Sequence, residues 1–395
     1  MKLMHLSDLH LGKRLNEFSL LEDQSFILQQ LVELVRSEQP DCVLLAGDIY
    51  DKPVPPAEAV TLFDDFLNKL AQLTTVCVTS GNHDSAERLA FGAQLMREGG
   101  VHFCGLYTGE PQCVTLQDAY GSVHIYLLPF LKPAHVRHCL PPTEAEQVTT
   151  YHEALRCAVE RLHINDAERN VLVAHQFVTG AQMAGSEAVN VGGVDNIGAE
   201  VFAAFDYTAL GHIHKAQRIG GREAVRYAGS PLPMSFSEKN YRHQVIAVAV
   251  EEGKVAGIEA IEIPRVADLM RIPDSPLPPE EVLRCLAGLP EPEEGREDES
   301  RWPYVEIRVL LTEPDPTFRH RVEEALVGKA VRLTSIVPSY PRREGEAEER
   351  ALSYNDLQKI APLDMLRHTF AVKYGGELPE EIETLFNEVM REVSL

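Results

Sequence analysis

Leu3-Met4-His5-Leu6-Ser7-Asp8-Leu9-His10 decides the fold: a short apolar run breaks into a polar turn that carries an aspartate and a histidine. Four further apolar runs end the same way. They are Val43–Ala46 before Gly47-Asp48, Val76–Val78 before Gly81-Asn82-His83-Asp84, Val171–Ala174 before His175, and Thr208–Leu210 before Gly211-His212-Ile213-His214. Short apolar runs bounded by turn residues read as buried strands. In α/β sheets ligands bind in the crevice outside the carboxyl ends of the strands, so five such tips can converge on one site.

The donor atoms at these tips set the chemistry. Asp8, His10, Asp48, Asn82, His175, His212 and His214 offer only oxygen and imidazole nitrogen. That set suits manganese, iron or zinc in an open catalytic arrangement rather than a closed thiolate site. Seven ligands are too many for one ion and suit two if one carboxylate bridges. Asp48, alone on its turn after Gly47, has two oxygens with which to hold ions ~3.5–4 Å apart. Two divalent ions facing Asp8 and Asp48 leave a net positive centre that binds and polarises a phosphate and activates a bridging water, which implies phosphoester hydrolysis. His83 follows Asn82 on the same tight turn, where adjacent side chains do not easily both reach one metal pair. It is therefore left free as an acid for the leaving oxygen, with Asp51 or Asp84 to orient it.

Taken singly, each of these histidines is more often a core or turn residue than a ligand, and Gly81-Asn82-His83-Asp84 alone reads as a turn before a helix. The joint pattern reverses that balance. His124, His138, His152, His163 and His320 have no such setting and read as surface or packing residues.

The blocks D-x-H, G-D, G-N-H-D, H and G-H-x-H, in that order, resemble the calcineurin-like metallophosphoesterase superfamily. The resemblance implies an α/β fold of four layers, α/β/β/α. It puts Asp8, His10, Asp48 and His214 on one metal, Asp48, Asn82, His175 and His212 on the other, and makes His83 the catalytic histidine. A narrower resemblance, to the bacterial double-strand-break repair nucleases, rests on His5–Gly12, Ala46–Asp51, Ala209–Lys215, Tyr227-Ala228-Gly229-Ser230-Pro231 and Ser235-Phe236. It is dense from Met1 to about Ile263 and thin beyond. It implies exonuclease action on duplex ends and endonuclease action on single strands or hairpins, in DNA repair and recombination. It further implies Mn²⁺ as the working metal, with Mg²⁺, Fe or Zn as alternatives, and an SMC-like coiled-coil ATPase partner that gates access with ATP.

At 395 residues and 44% hydrophobic content the chain exceeds what one core usually serves, so two or three units are expected. Seven scattered cysteines without a Cys-x-x-Cys pair support neither a disulfide framework nor a zinc ribbon, and fit a reducing cytoplasm. Leu3–Leu6 belongs to the catalytic sheet, which leaves no room for a cleaved signal peptide, and no apolar stretch is long enough for a bilayer. The net charge of −23 argues against a freestanding, tight DNA binder. A partner that supplies most of the DNA-holding surface, helped by the metals' own charge, removes the difficulty. Lys13, Arg14, Lys52, Arg88, Lys215 and Arg218 lie on or just after the active-site turns; Arg14, Lys52 and Lys215 are the DNA-contact candidates.

Along the chain, residues 1–265 alternate strands with helical patterns at Ser25–Val35, Ala57–Leu70, Ala86–Arg97 and Tyr151–Leu162, then turn strand-rich. Ala57–Leu70 carries two apolar stripes, Val60/Phe63/Leu67/Leu70 and Ala59/Leu62/Phe66, and Ala86–Met96 repeats the excess. Packing within the chain and packing in an isologous homodimer both explain it, and the resemblance favours the dimer. A proline-rich junction at Pro264–Pro279 prevents the sheet from continuing and opens a small α/β capping domain, residues 266–340. After a charged hinge at Arg342–Arg350, residues 341–395 read as a helical tail. Its stripe Ile382/Leu385/Phe386/Val389/Met390/Val393 either folds back or binds the partner.

Three rivals share parts of this reading. A phosphomonoesterase or protein phosphatase would use the same centre but commonly carries Arg where Ser85 or Lys52 stands. A small-nucleotide phosphodiesterase needs neither cap nor tail, and a non-catalytic scaffold would have lost ligands.

Overall fold

Strand Lys2–Leu6 alternates its side chains between two apolar environments, and this alternation builds the layers. Leu3 points into a core shared with Cys42, Leu44, Cys77, Val171, Val173, Tyr207, Ala209, Ile246 and Val248, while Met4 and Leu6 join Val43, Leu45, Val76 and Val78 on the other face. A strand buried on both faces belongs inside a sheet covered on both sides. The computed structural model describes residues 1–340 except 111, 184–196, 253 and 293–297. Beyond 340 it describes Leu363, Leu366, Arg367, Phe370, Leu378, Pro379, Ile382, Glu383 and Phe386.

Two six-stranded sheets face each other across that shared core. The first runs in the order Lys254–Glu262, Gln244–Glu251, Lys2–Leu6, Cys42–Ala46, Thr75–Thr79, Val101–Cys104; its last four strands are parallel. The second runs Gln217–Ile219, Arg222–Tyr227, Tyr207–Gly211, Arg169–His175, Gly121–Leu128, Gln112–Asp118, with four parallel strands between antiparallel edges. Helices Leu21–Glu38 and Ala57–Ala71 cover the first sheet through Ile27, Leu31, Val35, Phe63, Phe66 and Leu70. Helix Tyr151–Glu160 covers the second through Ala154, Leu155 and Ala158, and starts at Thr150 in a capping box with Glu153. The result is the α/β/β/α order expected.

Several local expectations are corrected. The second stripe of Ala57–Ala71 is used inside the chain, since Ala59 and Phe66 are buried in the core that helix Leu21–Glu38 shares. The pattern over 86–97 is not one helix but two, Ala86–Leu89 and Ala93–Glu98, parted at Gly92, which sits at φ +76°. This break leaves Phe91 83% and Leu95 80% exposed. The proline-rich junction contains a strand, Leu269–Leu277, because it lies at the edge of a three-stranded parallel sheet with Tyr304–Leu310 and Arg332–Ser339. There proline need not donate, and the register shifts between Ile272 and Leu277. Helices Pro279–Ala287 and Phe318–Ala325 close its core through Val282, Leu286, Phe318 and Val322.

Met1–Tyr340 forms one unit and Pro341–Leu395 a second. Within the first, the Tyr304 hydroxyl donates to Asp23 at 2.8 Å, the Phe18 ring meets Tyr304 edge-on, and Arg332 stacks 3.7 Å over it. In the second, Arg367 pairs with Glu383, and the Ile382 and Glu383 amides bond to the Pro379 carbonyl as in a first helical turn. The hinge at 342–350, and Leu385, Val389, Met390 and Val393 of the stripe, lie outside the described residues. Among the described residues no helix is long and apolar enough to cross a membrane.

Arg169, 2% exposed, opens strand Arg169–His175 and ties the edge of the second sheet to the first. It donates to Asp118 and to the carbonyls of Gly121 and Val250, while the amino group of Met1 pairs with the same Asp118. Removing the guanidinium takes a donor from the buried Val250 carbonyl and from Gly121, and leaves Asp118 paired with the Met1 amino group. Arg169→Ala is expected to lower stability by about 3 kcal/mol, read from the urea unfolding midpoint at unchanged slope.

Candidate metal centre

Each site residue stands where a buried strand stops, and the turns that follow are held by main-chain bonds between sequence-distant tips. The Asp8 amide donates to the Gly47 carbonyl at 3.1 Å, His10 to Asp48 at 2.9 Å and Leu11 to Ile49 at 2.8 Å. Asp8, His10, Asp48 and His212 adopt φ of +55°, +44°, +49° and +106°. Left-handed backbone at non-glycine residues is uncommon and gathers at functional sites. Here four such residues share one.

Three groups of ligand atoms result, each within 4.8 Å: Asp8, His10 and His214; Asp48, His175 and His212; and His10, Asp48 and His83. The Nε2 atoms of His10 and His214 face each other at 3.1 Å. Asn82 Oδ1 lies 3.1 Å from His175 Nε2 and 2.8 Å from His212 Nδ1. Asp48 Oδ2 stands between the groups, 3.5 Å from His10 Nε2 and 3.3 Å from His175 Nε2. All seven candidate ligands and His83 are thus brought together.

The electrostatics fit divalent cations. Burial leaves Asp8 raised above the ordinary carboxylate range despite the nearby imidazoles. Burial alone would raise Asp48 too, but His175, then His10 and His83, hold it well below. His175 follows the same balance in reverse: burial lowers it, and Asp48 and Asp8 overcome this to bring it to about 9. Burial holds His10 well below its ordinary value and takes His212 to about 3, so both rings present lone pairs. Asp8 Oδ2 and His10 Nδ1 are buried without a hydrogen-bond partner. Oxygen and imidazole donors with orphaned buried atoms are what two hard-to-borderline cations require.

The expected support of His83 takes a different form. Asp51 orients the ring through its main-chain carbonyl, which accepts from Nδ1 at 2.9 Å, while its carboxylate accepts from Lys13 Nζ at 2.9 Å. The Asp84 carboxylate does not reach the ring. It accepts the amides of Ile49, Tyr50 and Gly81 at 2.9–3.1 Å and so welds two turns together. Of the basic candidates, Arg14 and Lys52 are exposed, Lys215 donates to Gln182 and lies 5.8 Å from the Tyr241 ring, and Arg218 pairs with Glu223.

Sequence reasoning misses three residues here. Glu238, fully buried, lies 3.0 Å from His214 Nδ1. Phe130 lies nearly parallel to His212 at 6.2 Å and edge-on to His175. Gln24, 1% exposed, donates to the carbonyls of Leu9 and His10 and accepts from the Gly12 amide. Of the three, Phe130 alone carries a signal in the sequence, since it too follows the carboxyl end of a parallel strand.

The profile of calcineurin-like phosphoesterases matches residues 1–216, and that described as the type 5 capsule protein repressor C-terminal domain matches residues 265–374. The chain is similar to the D subunit of nuclease SbcCD from Bacillus subtilis (strain 168), with 29% identity over 403 residues, 98% of this chain and 97% of that one. Among solved structures it is similar to a dimetal phosphatase from Danio rerio, at 13% identity, TM-score 0.39, and coverage of 67% of this chain and 99% of that one. It is also similar to a hypothetical protein from Thermus thermophilus, at 12% identity, TM-score 0.36, and coverage of 67% and 100%.

Removing the Asp84 carboxylate strands three amides, each costing about 1–3 kcal/mol if left unpaired. Asp84→Ala is therefore expected to lose about 3 kcal/mol of stability and to take up metal poorly, whereas His83→Ala stays within about 1 kcal/mol of wild type. Thermal unfolding with metal analysis of the purified variants checks both.

Proposed function

The chain belongs to the calcineurin-like phosphoesterase family, and from that premise we propose a divalent-metal-dependent DNA nuclease that hydrolyses phosphodiester bonds as one subunit of a larger assembly. The observation that carries the reading is the convergence of seven donor side chains from five strand tips, with His83 at their edge. Asp8, His10 and His214 would hold one ion, Asn82, His175 and His212 the other, with Asp48 available to both. When bound, the ions supply positive charge for the phosphate oxygens and lower the pKa of water. Mn²⁺ is the working metal, with Mg²⁺, Fe or Zn as alternatives.

This chain's own residues supply orientation and the proton. Asp48 Oδ1 accepts the His83 amide at 2.8 Å, which fixes the catalytic turn against the bridging carboxylate. The Asp51 carbonyl accepts Nδ1–H of His83, which leaves Nε2 to face the leaving oxygen; the imidazolium, protonated on both nitrogens, delivers its Nε2 proton and is left as the neutral Nδ1–H ring. Arg14, Lys52 and Lys215 contact the DNA backbone.

The similarity to a component of SbcCD supports the rest of the assignment. An SbcC-type coiled-coil ATPase is the partner, and it supplies the DNA-holding surface that a chain of net charge −23 lacks. DNA ends are cut exonucleolytically, and single strands or hairpins endonucleolytically, in repair and recombination in the cytoplasm. Residues 1–265 are the nuclease domain, 266–340 the cap, and 341–395 the helical tail that meets the partner. Exposed Phe91 and Leu95, with Val60 45% and Val54 65% exposed, form the face of a homodimer within a heterotetramer.

Two measurements test this. With Mn²⁺, and with the ATPase partner supplied, the chain is expected to cut hairpin DNA and to leave p-nitrophenyl phosphate essentially untouched. His83→Ala is expected to lower cutting by about 10²–10⁴-fold while retaining both ions. Efficient monoester turnover with inert DNA would overturn the reading. For the dimer, light scattering on a sizing column is expected to give twice the 44.0 kDa chain mass, and the single-chain mass for Phe91→Glu/Leu95→Glu.

A further inference from the structure

The segment Tyr227-Ala228-Gly229-Ser230-Pro231 through Ser235-Phe236 carries none of the seven ligands, yet it closes around one of them. Gly229 sits at φ +80°, and a Cβ there would lie 2.7 Å from the His214 carbonyl oxygen, so only glycine lets the chain pass this close. The Ser230 amide then donates to that same carbonyl at 3.1 Å, and the buried His243 ring donates to the Ser230 carbonyl at 2.8 Å. A short 3₁₀ turn, Phe236–Glu238, follows and carries Glu238 back to the His214 ring, with Oε1 3.0 Å from Nδ1. The other carboxylate oxygen accepts the Met234 amide at 2.8 Å, and the Ser235 hydroxyl donates to Oε1 at 3.4 Å.

A carboxylate with no exposed surface persists only where donors satisfy it, and here an imidazole N–H is one of them. A carboxylate accepts, so the proton of neutral His214 resides on Nδ1 and its lone pair on Nε2. Nε2 is the atom that faces His10 Nε2, and His214 groups with His10 and Asp8. We propose that Glu238 is a positioning residue of the metal centre, with the loop 229–238 as its mount: it fixes the tautomer and tilt of His214 so that Nε2 meets the cation shared with Asp8 and His10. The inference rests on His214 being a metal ligand. Partners of this type orient metal-binding imidazoles and raise their basicity, and losing one costs about 10–100-fold in metal affinity.

The test is a Mn²⁺ titration of the full chain followed by electron paramagnetic resonance of the free ion, resolving two dissociation constants. Glu238→Gln and Glu238→Ala are expected to weaken one constant by about tenfold or more and leave the other unmoved, with the metal-free melting curve of Glu238→Gln near that of wild type. General disruption would weaken both. Nitrogen-15 spectra of histidine-labelled, metal-free protein supply a second readout: His214 is expected as the Nδ1–H tautomer in wild type and to leave it in Glu238→Ala. If Glu238→Ala does not fold, Glu238→Gln carries the titration. Two wild-type constants with an unchanged tautomer would overturn the proposal. A wild-type chain that takes up no Mn²⁺ would instead overturn the ligand reading, and the metal-free spectra would still decide whether Glu238 sets the tautomer.

Discussion

The hydrogen bond from His175 Nδ1 to the Ala46 carbonyl, 2.8 Å long and fully buried, joins the carboxyl ends of the two facing sheets. Its counterpart runs from the His212 amide to Asp8 Oδ1 at 3.0 Å. Neither sheet alone assembles the centre: Asp8, His10, Asp48 and Asn82 follow strands of one, His175, His212 and His214 strands of the other. The shared apolar core sets how closely the layers approach, and these two bonds set where along the strands they meet. A buried histidine that spends Nδ1 on a carbonyl has only Nε2 left, aimed at Asp48 and Asn82. Packing between sheets and ligand direction are therefore one constraint.

Much of this is legible in the residues because two signals coincide. Near-continuous apolar runs such as Leu3–Leu6 and Val43–Ala46 mark strands buried on both faces, and polar turns after them mark the carboxyl-end crevice. What escapes the pattern has identifiable causes. Strand Gln112–Asp118 is half-exposed and mixed in polarity, so no apolar run announces it. Strand Leu269–Leu277 hides behind Pro273 and Pro276, which are tolerated because it is an edge. The break at Gly92 yields to no periodicity argument, since Phe91 and Leu95 look like core residues and are exposed. Glu238 and Gln24 act by touching the backs of ligands or the backbone that bears them, a role set by tertiary contact alone.

The charge balance reads differently at the two scales of the molecule. Over the whole chain acidic residues exceed basic ones by 23. At the site, imidazoles outnumber carboxylates; burial keeps His10 and His212 neutral, while pairing with Asp48 and Asp8 overcomes it at His175. A chain that keeps its positive potential for a buried centre leaves its exterior poorly suited to hold a polyanion unaided.

Asp23 and Gln24 are neighbours in the first turn of helix Leu21–Glu38, and they face opposite obligations. Asp23 is bonded to Tyr304 of the three-stranded sheet, and Gln24 to the main chain at Leu9, His10 and Gly12. One peptide unit thus separates the anchorage of the small sheet from the backbone that aims a catalytic imidazole. The small sheet and the main chain beneath His10 therefore share a single foothold, the first turn of that helix.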